Sequence, residues 1–147
     1  MATRGRLLDV SALPGFVAAD GEQWLGYSTY EQRDGALEIA VIESMAQGGG
    51  VGVALLAASV AAARDGGATR VWLITTNDNT HALRFYQRRG FVLAALHRDA
   101  VTIARQSLKP EIPQQGKDDI PIRDEIELEL PTHDWQAFID THAWPQT

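Results

Sequence analysis

The chain is predicted to be one mixed α/β domain: a mostly antiparallel sheet with one central parallel strand pair, flanked by helices. Three observations point there. Strand-like segments separated by Asp-Gly turns make a meander within residues 16–44. A helix without charge follows and leads into a second apolar strand, the pattern of a crossover between parallel neighbours. Near the end, Glu125-Ile126-Glu127-Leu128-Glu129-Leu130 alternates strictly with period two. At 147 residues the chain can bury one core but not two, so a single domain over 1–147 is expected.

Composition narrows the function classes. A hydrophobic content of 45% and a charged content of 22% are those of an ordinary globule. The net charge of -6 argues against nucleic-acid binding, which relies on basic patches, and suits a cationic or amine partner. With no cysteine there is no disulfide, thiolate metal site or cysteine nucleophile. No apolar run approaches membrane-spanning length and no signal peptide opens the chain, so a cytoplasmic protein with no membrane partner is expected.

In order, Phe16 to Ala19 runs into the turn Asp20-Gly21, then into a strand from Gln23 to Tyr30. Arg33-Asp34-Gly35 turns the chain into a strand from Ala36 to Ser44. The helix from Val51 to about Arg64 places Val53, Leu56, Val60 and Ala63 at helical spacing and stops at Gly66-Gly67. No charged residue occurs from Val51 to Ala63, so its outer face should also be covered, by another segment or by a second copy in a homodimer. Arg70 to Thr75 is a buried strand. Asn77, Asp78 or Asn79 can cap a short helix from Thr80 to Arg88, closed by Gly90. Phe91 to Leu96 reads as strand, Ala100 to Leu108 as helix, and Lys109 to Asp119 as a long loop. After the alternating strand, a helix from His133 to about Asp140 ends the chain as a docked tail within 131–147.

The segment Glu38 to Leu56 is strand, glycine turn and helix in immediate succession. Such a junction binds anions, because the first-turn N–H groups of a helix lack intrahelical partners and face outward with the positive end of its dipole. The dinucleotide pattern G-x-G-x-x-G fails, since its third glycine falls on Leu55. A nucleotide-triphosphate loop needs a lysine, and the first in the chain is Lys109. What remains is Gln47-x-x-Gly50-x-Gly52, followed one helix and one strand later by Asn79-x-x-Ala82-x-x-x-Tyr86-x-x-x-Gly90-Phe91.

These two motifs, in this order, resemble the cofactor motifs of the GNAT superfamily of acyl-CoA-dependent N-acyltransferases. The resemblance implies a GNAT-like sheet whose central parallel pair is splayed, with acetyl-CoA as cosubstrate, an amine as acceptor and no metal. It assigns the pyrophosphate to the backbone of Gln47, Gly48, Gly49, Gly50, Val51 and Gly52. Pantetheine pairs with the backbone at Val41 and Ile42 and meets Asn79, whose residue type also suits a helix cap. Tyr86 matches the general acid that protonates the leaving thiolate, as a phenol of ordinary pKa near 10 can. Glu38, expected on one strand face with Ala40 and Ile42, is the first candidate base; Glu43, on the opposite face, is second, and many relatives use ordered water. His81, His97, His133 and His142 lack metal spacing. Asp124, Glu125, Glu127 and Glu129 are expected to form a solvated acidic face.

The resemblance spans Phe16 to Leu130. The strand and helices with which the family opens, part of its acceptor wall, lack counterparts before Phe16, while the segment from Ala100 to Asp119 exceeds the usual closing hairpin. Two classes therefore stand: an active acetyltransferase, and a catalytically degenerate CoA-binding or interaction module.

Overall fold

The computed structural model describes residues 2–3, 6–7, 13–45 and 50–142. In chain order its elements are β1 (Ala2–Thr3), β2 (Arg6–Leu7), β3 (Gly15–Asp20), β4 (Gln23–Arg33), β5 (Ala36–Ser44), α1 (Val51–Asp65), β6 (Arg70–Thr76), α2 (Thr80–Arg88), β7 (Val92–His97), α3 (Ala100–Ser107), β8 (Glu125–Leu130) and α4 (Trp135–His142). Strands β1 and β2 pair with each other, and the other six follow the order β3-β4-β5-β6-β8-β7. The class is the expected one, mixed α/β with a mostly antiparallel sheet and one parallel pair. The residues group into two compact bodies, one drawn from 10–71 and 131–147, the other from 1–9 and 72–130.

In the first body β3, β4 and β5 form the antiparallel meander. Asp34 and Gly35 close its second hairpin with φ of 56° and 77°, the two left-handed residues of a turn whose twist suits flanking strands. Helix α1 packs on one face of the meander, with Leu56, Val60 and Ala63 wholly buried. Gly26 on β4 permits the close approach: a Cβ there would stand 2.7 Å from Val51 Cγ1 and 3.3 Å from Leu55 Cδ1. At the other end of α1, Gln32 Nε2 donates to the Gly66 carbonyl at 3.0 Å.

Helix α4 docks on α1, burying Trp135, and the Arg64 guanidinium donates to Gln136 Oε1. This accounts for the missing charges on α1. Of the two coverings expected for its outer face, the one present is another segment of the same chain.

The register of β4 with β5 slips once. Thr29 pairs with Val41 but Tyr30 pairs with Ile39, so Ala40 is an extra residue on β5. A bulge of this kind bends its strand and resets which side successive residues face.

In the second body α2 buries one residue, Tyr86, against Phe85 and Phe91, with ring centroids 5.0 and 5.4 Å away. Strand β7 pairs antiparallel with β8, His97 opposite Glu125 and Val92 opposite Glu129, and ends the strand order with Val92, Leu93 and Leu96 exposed. The long segment between these strands is fixed by polar contacts. Arg105 donates to the carbonyls of Ile112, Pro113 and Ile122 at 2.8 to 3.0 Å, and Asn77 Oδ1 accepts from the backbone N–H of both Arg123 and Asp124 at 2.9 Å.

The solvated acidic face does not hold. Asp124, Glu125 and Glu127 are buried and Glu129 is half-buried. The reason is partnering: β8 lies between β6 and β7 in the strand order, and neighbouring groups take up its carboxylates. Glu127 Oε1 lies 2.9 Å from His97 Nε2, and Asp124 accepts from Arg123 Nε and Nη2 and from the Asp99 N–H.

Candidate active site

In the first body the candidate feature is the mouth of α1. Its N-cap is Gly50, at φ 78° and ψ 14°, a left-handed conformation that an L side chain adopts only with strain. Among the described residues no side chain caps this end, and no acidic residue lies in its first turn. The ladder of α1 starts with the Ala54 N–H donating to the Gly50 carbonyl at 2.9 Å, which leaves the earlier amides of the turn, Val51 and Gly52 among them, outside it. Among the described residues, nothing beyond its chain neighbours and the helix backbone lies within 4 Å of where a Gly50 Cβ would be. The chemistry available here is anion binding by backbone N–H groups. Gln47, Gly48 and Gly49 lie outside the described residues.

On the strand before this mouth, the Ala40 bulge changes the expected grouping. Gly26 meets α1 and pairs with Ser44; Gln32 meets the end of α1 and pairs with Leu37. The partners with the other parity face away from the helix: Tyr27 with Glu43, Thr29 with Val41, Glu31 with Glu38. Glu38 therefore shares its face with Val41 and Glu43, not with Ile42. Straight alternation places Glu38 and Glu43 on opposite faces because it counts Ala40 as an ordinary step. Glu38 is 4% exposed, whereas Glu43 is exposed and accepts from Tyr27 Oη at 2.9 Å. That bond, with the carboxylate's charge behind it, raises the Tyr27 pKa above the usual phenol value.

In the second body Asn79 caps α2: its Oδ1 accepts from the Ala82 N–H at 3.1 Å. The same oxygen lies 3.4 Å from Lys117 Nζ. Asp78, which is buried, accepts from Thr76 Oγ1 at 2.5 Å and from the Lys117 backbone N–H at 3.0 Å. Two turns further along α2, burial pushes the Tyr86 phenol up to about 12. It stays protonated at neutral pH, as a proton donor must. Sequence reasoning missed Lys117. Nothing in the spacing of a loop lysine marks it, because its position follows from the fold of the segment before β8.

Residues 4–91 match the acetyltransferase (GNAT) family. The chain belongs to that family. The matched span carries β5, α1, Asn79 and Tyr86, and stops before β7. Among relatives, the GNAT chain is 45% identical over 109 residues to the uncharacterized protein YxbD of Bacillus subtilis (strain 168), covering 74% of this chain and 68% of that one. It is 40% identical over 127 residues to YdhI of the same strain, covering 86% and 79%. Among solved structures, a Bacillus subtilis acetyltransferase in complex with CoA superposes with a TM-score of 0.67 at 25% identity, over 78% of this chain and 74% of that one. A GNAT acetyltransferase from Elizabethkingia anophelis with acetyl-CoA bound shares the fold, with a TM-score of 0.68 at 22% identity, over 78% and 73%. Both of these solved proteins hold CoA or its acetyl ester. Among the described residues no cluster of three His, Asp or Glu could hold a metal ion, and no helix is long and apolar enough to cross a membrane.

Proposed function

We propose that this GNAT chain is a single-domain cytoplasmic N-acetyltransferase that moves the acetyl group of acetyl-CoA directly onto an amine. The acceptor nitrogen attacks the thioester carbonyl carbon, a C–N bond forms, and the C–S bond breaks. Glu38, Glu43 or an ordered water first takes one proton from the acceptor ammonium to free its lone pair; Tyr86 delivers its phenolic proton to the departing thiolate, and the second proton that the nitrogen sheds as it becomes an amide returns to the phenolate. The backbone from Gln47 to Gly52 holds the pyrophosphate, while Val41, Ile42 and Asn79 line the pantetheine arm. One observation carries the reading: an α1 mouth with a left-handed glycine cap and no acid in its first turn, in a chain whose fold is shared by solved proteins that hold CoA or acetyl-CoA. The electrostatics of that mouth favour a diphosphate.

The test is to incubate the protein with acetyl-CoA and a pool of amines and follow free thiol. Turnover that falls at least about 100-fold in Tyr86→Phe, with acetyl-CoA binding retained, supports the reading. Binding without turnover on any amine supports the other function, a CoA-binding module, which the burial of both Tyr86 and Glu38 favours. A homodimer belongs to the same proposal. Strand β7 exposes Val92, Leu93 and Leu96 on an uncharged edge with which a second copy can pair, and light-scattering mass tests it.

A further inference from the structure

The segment joining β7 to β8 lies beyond the span that matches the family, and it reaches back to α2 at one point. Asp78 receives the Lys117 backbone N–H, and Gly116 makes the approach possible, since a Cβ there would stand 2.2 Å from Asp78 Oδ2. Directly after Lys117, Asp118 and Asp119 both adopt left-handed conformations, with φ of 54° and 60°. Two such residues in succession are strained and persist only where surrounding contacts hold them. Here the chain is held by Gly116 N–H to the Ile120 carbonyl at 2.9 Å and Ile120 N–H to the Lys117 carbonyl at 3.0 Å. The result delivers the Lys117 ammonium to Asn79 Oδ1.

This contact fixes which way the Asn79 amide points. Its oxygen is addressed by two groups that can only donate, the Ala82 N–H and an ammonium. An amide turned the other way would set its NH2 against both of them. The end left for a ligand is therefore Nδ2, a donor, and the group it meets must be an acceptor such as an amide carbonyl. Positive charge beside Oδ1 also polarises the amide and strengthens its N–H as a donor.

We propose that Lys117 is a positioning residue for the cosubstrate: it locks Asn79 with Nδ2 outward so that it donates to a carbonyl of the acetyl-CoA arm. The inserted segment thereby serves the cosubstrate as well as the sheet. This rests on the acetyl-CoA reading above, and the experiment separates the two.

Calorimetric titration is run with acetyl-CoA and with acetyl-pantetheine, which lacks the phosphates. Lys117→Met is expected to weaken both ligands alike, by about three- to tenfold, with the loss in KM for acetyl-CoA rather than in kcat. Lys117→Arg keeps a cationic donor and restores most of the affinity. Asn79→Ser, which retains a capping oxygen but lacks Nδ2, weakens both ligands at least as much, and Lys117→Met adds nothing further in that background. The proposal is overturned if Lys117→Met weakens acetyl-CoA but not acetyl-pantetheine, which would mean a direct phosphate contact. It is also overturned if the two losses add or if Lys117→Met changes neither affinity. A wild-type protein that binds neither ligand removes the acetyl-CoA reading itself.

Discussion

Gly26 on β4 lies beneath Val51, the first residue of α1: a side-chain carbon on Gly26 would stand 2.7 Å from Val51 Cγ1. It would also stand 2.7 Å from the Glu43 carbonyl oxygen, backbone that cannot swing aside. The height of the α1 mouth over the sheet is set here. Gly26→Ala is expected to destabilise the fold by about 1–3 kcal/mol, the usual range for overpacking a filled interface. Because the strain falls on the first turn of α1, acetyl-CoA binding should weaken as well. Denaturant unfolding measures the first effect and calorimetric titration the second.

Tyr86 makes stability depend on alkaline pH. Its folded pKa of about 12 exceeds the ordinary phenol value of about 10 because burial disfavours phenolate. The stabilisation is complete below about pH 10 and is lost as pH rises through 12, since the unfolded chain releases the proton first. The loss amounts to about 2–3 kcal/mol. Melting curves should steepen their decline above pH 10 in the wild type and flatten there in Tyr86→Phe.

Asp124 acts at the acid end. Hydrogen bonds from the Arg123 guanidinium, helped by the Asp99 N–H, hold its carboxyl below the usual carboxylate range. Its stabilisation is present above that usual range, near pH 4, and disappears as pH falls through the depressed value. Asp124→Asn should cost about 1–3 kcal/mol at neutral pH and should flatten the acid limb of the stability profile. Urea midpoints measured from pH 7 downward give both.

Trp135 anchors α4 on α1, yet its Nε1 is buried without a hydrogen-bond partner among the described residues. The contribution therefore comes from packing rather than from the indole N–H. Trp135→Ala is expected to cost about 3–5 kcal/mol, whereas Trp135→Phe, which also deletes the unpaired donor, should cost under about 1.5 kcal/mol. Comparison of the two by thermal unfolding separates shape from polarity.

Much of the fold was legible because local chemistry and tertiary packing agree in this chain. The limits of β5, α2 and β8 follow from alternation, an Asn cap and turn glycines that the tertiary contacts reinforce. The missing charges of α1 announced a second covering layer, and α4 supplies it. What stayed hidden depends on partners distant in sequence. The Ala40 bulge has no residue signature, so the face of Glu38 came out wrong relative to Ile42 and Glu43. Alternation in β8 revealed two faces but not that the acidic residues are buried, since the groups that take up Glu127 and Asp124 include His97 and the Asp99 N–H, some 25 to 30 residues away in the chain. Of the candidate site residues, Gly50 and Asn79 carried readable signals, a glycine before a helix and a capping amide. Lys117 carried none, because a loop lysine gains its meaning from the strained turn that aims it.

The extra residue on β5 makes Ala40 a step of that strand that can be lost without turning its neighbours over. Deleting Ala40 would restore an even ladder with β4, in which Ile39 opposite Tyr30 and Val41 opposite Thr29 become consecutive rungs and everything from Val41 to Ser44 keeps its side. Glu43 would stay turned away from α1 and Ile42 toward it, so the oily underside of the helix is untouched. In a collection of single-codon deletions, this position should be tolerated in the middle of a strand where a lost residue is normally fatal.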